Sequence, residues 1–386
     1  MIFDRRQFLS AAAVCATTAL LAAPRVGLAN AATERRFVFI IQRGAADGLN
    51  TLVPYAEPAY ASLRGTLAID PSTAAKLDGT FALHPSLSEL ATLYRAGQAS
   101  FFHAVASSYR ERSHFDGQNV LETGGSAPYQ LNDGWMNRLV ALLSRPGKDA
   151  IAFAPTVPMA LRGAVAVPSY AASSLPEANE DLMLRVEQLY ADDAQLHALW
   201  SAALEARNMA GATGGGKRKG AHEAGRMAAN FLVRADGPRI AMIETGGWDT
   251  HSGQNGRLAA QLRNLDGLIA GLRQGLGTAW EQTVVLVATE FGRTAAANGT
   301  GGTDHGTGAA AMLAGGAVQG GRVLADWPGL APENLLDGRD LRPTLALEAL
   351  IAQTCAETFR IEPGKMARAL FPHLIQGRSL PRLLKT

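Results

Sequence analysis

The sequence predicts an α/β fold: a mostly parallel sheet sandwiched by helices, with a helical insertion. Two observations predict it. Continuous apolar runs of strand length alternate with segments of helical period, and one of those segments carries a sustained apolar stripe. Polar, Gly-rich motifs follow directly after the apolar runs, as expected where strand ends build a ligand site.

Taken in chain order, residues 1–31 read as an export signal. Arg5-Arg6-Gln7-Phe8-Leu9 precedes the apolar stretch Ala11 to Ala23, and the small residues Ala29 and Ala31 suit cleavage. That stretch is too short for a bilayer core that needs about 20 residues, so no stable membrane anchor is expected in the mature form. The first strand is expected over Phe37 to Gln42, and further strands over Ala99 to Val105, Ala150 to Phe153, Arg239 to Glu244, Thr283 to Thr289 and Ala309 to Ala314. Between the fourth and fifth runs, Leu258, Leu262, Leu265, Ile269, Leu272 and Leu276 recur at intervals of three and four, the mark of an amphipathic helix. Residues 160–235 break the alternation and are expected to form a helical insertion or cap on a single domain spanning 32–386. Within it, residues 211–220 read as a Gly- and Lys-rich loop.

Composition narrows the function classes. Of 386 residues, 47% are hydrophobic and 18% charged, which argues against a disordered chain, and two cysteines cannot build a disulfide scaffold. Removing residues 1–31 takes Arg5, Arg6 and Arg25 from the 36 basic side chains and Asp4 from the 34 acidic ones, leaving 33 of each. A neutral mature chain has no basic excess for nucleic acid. Its remaining thiol, Cys355, lies in an apolar helical pattern. There is no Gly-x-Ser-x-Gly elbow, phosphate-binding loop, dinucleotide fingerprint, His-Glu-x-x-His or Cys-x-x-Cys, so a serine hydrolase or nucleotide-dependent enzyme lacks its usual scaffold.

The motifs after the strands carry the chemistry. They are Arg43-Gly-Ala-Ala-Asp47-Gly-Leu-Asn50, Gly246-Gly-Trp-Asp249-Thr-His251, Glu290-Phe-Gly-Arg293-Thr and Gly302-Thr-Asp304-His305-Gly306. Carboxylates and imidazoles arriving from several strand ends at one rim suit a divalent ion, and glycines let the backbone pack closely around it. A further cluster, Arg110-Glu-Arg112-Ser113-His114-Phe-Asp116, opens a helix. Ser113 there is either a nucleophile whose anionic intermediate sits at the helix N-terminus, or simply an N-cap.

In this order the motifs resemble the bacterial exported family called domain of unknown function 1501, grouped with the alkaline-phosphatase and sulfatase-like superfamily. The resemblance implies an alkaline-phosphatase-like fold and one or two divalent ions (Zn, Mn, Mg or Ca). It offers Asp47, Asp249, His251, Glu290 and His305 as ligands, and Ser113 as nucleophile. Arg43, Arg110, Arg112 and Arg293 are the candidates for stabilising the non-bridging oxygens. Phe291 stands where the superfamily places a ligating imidazole, so a second ion requires His114 or Asp304 as a substitute. The expected function is a periplasmic or secreted metal-dependent hydrolase of small phosphate, sulfate or related esters. The alternative is a non-catalytic binding or assembly protein on the same fold, and the resemblance offers a co-encoded exported protein as partner.

Overall fold

The first strand, β1 (Arg36–Gln42), is buried along its whole length. Its side chains alternate between two cores: Phe37, Phe39 and Ile41 enter one, Val38 and Ile40 the other. A strand covered on both faces needs an apolar residue at nearly every position, which is why it reads as a continuous run. The computed structural model describes residues 34–143, 149–171, 180–210, 220–374 and 380–386. The export segment 1–31 and the basic stretch 211–219 lie outside the described residues.

Seven more strands complete the main sheet: β2 (Ala99–Ala106), β3 (Ala150–Phe153), β4 (Ile240–Thr245), β5 (Thr283–Thr289), β6 (Ala309–Ala314), β7 (Arg322–Leu324) and β8 (Leu345–Ala346). Their order is β7-β2-β6-β5-β1-β4-β3, with β8 pairing the far end of β2. The six expected strands are all present. Every pairing is parallel except those of β6, which runs antiparallel to both β2 and β5. The result is the expected mostly parallel sheet flanked by helices, which the reversed β6 makes mixed.

Helices cover both faces. On the Phe37 face lie α3 (Trp135–Leu143), α6 (Leu347–Phe359) and α7 (Pro363–Leu370), with Trp135 meeting Phe37 and Phe39 edge-on at 6.2 and 5.3 Å. On the Val38 face lie α1 (Ser88–Arg95), α4 (Ala221–Leu232) and α5 (Gln254–Leu276), and all six residues of the α5 stripe are buried. The remaining sheet-edge helix, α2 (His114–Thr123), belongs to the site below. Asp266 of α5 caps α1 from outside: its carboxylate accepts the Glu89 and Leu90 amides at 2.9 and 3.0 Å. Leu87, at the N-cap position, has no side chain to do so.

The segment expected as a cap divides in two. Helices Glu180–Tyr190 and Ala194–Ala210 leave Leu182, Leu189, Leu196 and Leu199 exposed, whereas α4 packs Ala228, Ala229, Phe231 and Leu232 into the sheet-covering layer. Gly225 and Gly271 let α4 and α5 touch backbone to backbone, since a Cβ on Gly271 would lie 1.9 Å from the His222 carbonyl. Cys355 is buried within α6, as its apolar surroundings in the sequence imply.

Strand β2 contains a bulge at His103 and Ala104, with Ala104 at φ 55°. The fully buried His103 ring bonds the Leu52 carbonyl through Nε2 at 2.9 Å and accepts the Ala104 amide at Nδ1, also at 2.9 Å. That pairing fits only the neutral ring, and burial pushes its pKa down to about 4 from 6.5. Burial also lowers His84 to about 4. Because the unfolded chain takes up these protons first, their contribution is complete above pH 6.5 and is lost as pH falls towards 4. Stability should therefore fall across this window, by about 3 kcal/mol for His103. Denaturant unfolding at several pH values tests this: His103→Gln, which keeps a donor and an acceptor, should flatten the slope between pH 6.5 and 4, and an unchanged slope would refute the assignment.

Candidate metal centre

Strands β1, β2, β4 and β5 end at the same edge of the sheet, and the antiparallel β6 begins there. Loops 43–47, 107–113, 246–251 and 290–308 therefore converge at one rim. The last of these continues the ladder loosely, with Gly306 donating to the Gly292 carbonyl at 2.8 Å and Thr294 to that of Asp304 at 2.9 Å. Glycine permits the closest approaches. Gly44, at φ 119°, would place a Cβ 2.7 Å from the Asp249 amide, and Gly302 would place one 2.3 Å from the His251 carbonyl carbon.

Three imidazoles surround the Asp249 carboxylate. His114 Nε2 lies 3.5 Å from Oδ2, while His251 Nε2 and His305 Nε2 lie 3.0 and 3.4 Å from Oδ1. The two latter nitrogens are 3.0 Å from each other. Among the described residues, His114, Asp249 and His305 form a group whose ligand atoms all lie within 4.8 Å of one another.

Each ring is held by its other nitrogen. His114 Nδ1 meets Glu290 Oε1 at 2.9 Å, His251 Nδ1 meets Asp304 Oδ1 at 3.1 Å, and His305 Nδ1 meets the Arg112 carbonyl at 2.9 Å. An acceptor at Nδ1 places the proton there and leaves the Nε2 lone pair pointing inward, the arrangement of metal-ligating histidines. His114 Nε2 is buried and makes no hydrogen bond. Three imidazole nitrogens and a carboxylate with an unpartnered buried lone pair fit a divalent transition ion.

The electrostatics agree. Burial, then the neighbouring His114, holds His305 below its ordinary pKa. The hydrogen bond to Glu290 holds His114 above its ordinary value. Burial raises Asp249, but the hydrogen bond and charge of Arg293 outweigh it and hold the carboxyl below its usual range. Arg293 NH1 reaches Asp249 Oδ1 at 2.6 Å while its other nitrogens grip Thr303.

Several expected participants stand elsewhere. Asp47 is not in the cluster: it caps the turn Gly48–Thr51, accepts the Asn50 amide at 3.1 Å, and is ion-paired to the fully buried Arg64. Glu290 does not join the inner group either. Its buried Oε1 accepts from Gly44, His114 and Gln118 at 2.8, 2.9 and 3.1 Å, so it supports His114. Burial opposes its charge, but these bonds hold its pKa below the ordinary value. Asp304 likewise supports His251, itself fixed by Asn298 at 3.1 Å.

The arginines expected to face an ester are engaged in the framework. Arg43 binds Glu122, Glu244 and Gln118; Arg112 binds the buried Asp340; Arg293 binds Asp249; and Arg110 folds back on the Ser107 and Tyr109 carbonyls. Ser113 occupies the N-cap position of α2, and its hydroxyl makes no capping bond. Phe291, which stands where the resemblance leads us to expect a ligating imidazole, stacks on His114 at 5.1 Å and contacts His305 at 5.3 Å, walling the centre with apolar surface. Arg64 and Gln254 escaped the sequence reading, since neither sits in a strand-end motif beside an obvious partner. Gln254 joins Asp47, at 2.5 Å, to Thr303, at 2.7 Å, and so to Arg293.

No curated protein matches the sequence. Solved structures with a similar chain path include Ps i-CgsB in complex with k-i-k-neocarrahexaose, at 10% identity and TM-score 0.42 over 85% of this chain and 72% of that one. The C-terminal periplasmic domain of EcEptC from Escherichia coli, in complex with Zn, matches at 10% identity and TM-score 0.39 over 74% of each chain. A TAB5 alkaline phosphatase mutant with Mg bound in its M3 site matches at 12% identity and TM-score 0.35, over 72% of this chain and 90% of that one. A family model described as "Protein of unknown function (DUF1501)" matches residues 34–371, and the chain belongs to that family.

Proposed function

We propose that the protein is an exported, metal-dependent hydrolase of small phosphate, sulfate or related esters. The observation that carries the reading is the convergence of three imidazole Nε2 atoms, each with Nδ1 already engaged, on the Asp249 carboxylate. His114, Asp249, His251 and His305 would hold the metal. A bound divalent ion supplies Lewis-acid charge that favours a deprotonated nucleophile and polarises an ester oxygen.

The chain's own groups supply the rest. Ser113, at the head of α2 with its hydroxyl uncommitted, would attack the phosphorus or sulfur and expel the alcohol, which takes up the serine proton. Water would then release the acid and restore the hydroxyl. The amides that open α2 would meet the charge that develops on the non-bridging oxygens. Phe291 and Tyr109 keep apolar surface behind His114, limiting water there. A second reading, a binding protein without catalysis, is favoured by the engagement of Arg43, Arg110, Arg112 and Arg293 in framework contacts.

Export is proposed through the twin-arginine signal at residues 1–31; among the described residues no helix is long and apolar enough to cross a membrane. Replacing Arg5 and Arg6 by lysine should leave the precursor in the cytoplasm, whereas undiminished export would refute the route. Purified without chelator, the protein should contain metal and cleave at least one of an aryl phosphate, phosphodiester or sulfate ester. Less than about a tenth of an equivalent of any metal, with no rescue on adding metals, would refute the reading. Ser113→Ala should lower kcat/KM by about a thousandfold or more at unchanged metal content. Metal binding without turnover of any ester would establish the second reading instead.

A further inference from the structure

We infer that this centre holds a single, nitrogen-rich ion, because the chain's own side chains occupy the places a second ion would need. The inference rests on the proposed reading of the centre as metal-binding. Of the ligands the resemblance offers, Asp47 and Glu290 lie outside the inner group, and the structure commits both. Asp47 Oδ2 receives the Arg64 guanidinium and the Gln254 amide, and Oδ1 receives the Asn50 backbone amide.

Arg64 is itself fully buried, with its other nitrogens donating to Asn50 Oδ1 at 3.1 Å and to the Thr294 and Ala295 carbonyls at 3.1 and 3.3 Å. A buried guanidinium with every nitrogen engaged cannot swing away without stranding its charge, so it acts as a built-in monovalent cation beside Asp47. At the other position, Phe291 presents a ring in place of a ligand, and Glu290 spends Oε1 on three donors. A second dication would meet the fixed charge of Arg64 beside Asp47 and an apolar ring beside Glu290.

The inner set that remains is three imidazoles and one carboxylate, with a buried His114 Nε2 that has no other partner. Imidazole suits zinc and its first-row neighbours, whereas magnesium and calcium favour all-oxygen shells. The centre should therefore select a borderline transition ion.

The test is metal counting on the full mature chain, stripped with chelator and titrated with Zn²⁺ or Co²⁺ by calorimetry and elemental analysis. One equivalent per chain is expected, insensitive to about a hundredfold excess of Mg²⁺ or Ca²⁺. Nitrogen ligation should show in the visible spectrum of the Co²⁺ form. His305→Ala should weaken binding by about a hundredfold or more. Asp47→Asn, with folding verified by circular dichroism, should still bind one equivalent. Two equivalents in the wild-type chain would overturn the single-ion assignment while sparing the metal reading, and this count does not depend on any variant folding. Displacement of Zn²⁺ by stoichiometric Mg²⁺ would overturn the selectivity. Failure to bind any of the four ions would overturn both readings together.

Discussion

The direction of one strand governs the rim. Had β6 continued the parallel pattern of its neighbours, its N-terminal end would lie at the opposite edge of the sheet, and Asp304 and His305 with it. Because β6 reverses, the connection from β5 stays on the side where β1, β2 and β4 end. Everything at the centre follows from that reversal: His305 meets Asp249, Asp304 reaches His251, and Arg293 is clasped between Asp249 and Thr303.

Beneath the imidazoles a buried polar chain runs from Arg64 through Asp47, Gln254 and Thr303 to Arg293, which reaches the part-exposed Asp249. Such chains are stabilising only when every member is satisfied, because an unpaired polar group in a low-dielectric interior costs about 1–3 kcal/mol. Here successive donors and acceptors match, so the network specifies one arrangement of the loops that carry Asp47, Asp249 and Arg293. The Asp249 carboxylate is consequently oriented from below by protein before any ligand meets it from above.

What could be read from the sequence divides along physical lines. The strands were visible because burial on both faces demands unbroken apolar runs, as in Phe37 to Gln42, and α5 was visible because one face repeats at helical spacing. The direction of β6 was not, since an all-buried run such as Ala309 to Ala314 looks the same in either orientation. Asp249, His251 and His305 stand out by their place after or before strands, and the fold brings them side by side. The Asp47–Arg64 pair is not legible, because Arg64 comes from a short turn 17 residues on with no periodic signal. Nor are the partners of Arg43 and Arg112: Glu122, Glu244 and Asp340 reach them from elements that only the folded sheet brings near. His114 enters the sequence reading as a substitute for an imidazole in place of Phe291, and it is the ring that Phe291 stacks against.

Arg112 adopts φ 62°, a left-handed conformation uncommon for a side chain of its size, and its own guanidinium is tied down by Asp340. Its carbonyl holds His305, and the next residue is Ser113. One strained peptide thus joins the ring that would grip an ion to the hydroxyl that would attack an ester. The two share one stretch of backbone: a turn of the Arg112–Ser113 peptide moves the carbonyl that holds His305 and the Cα that carries the hydroxyl together.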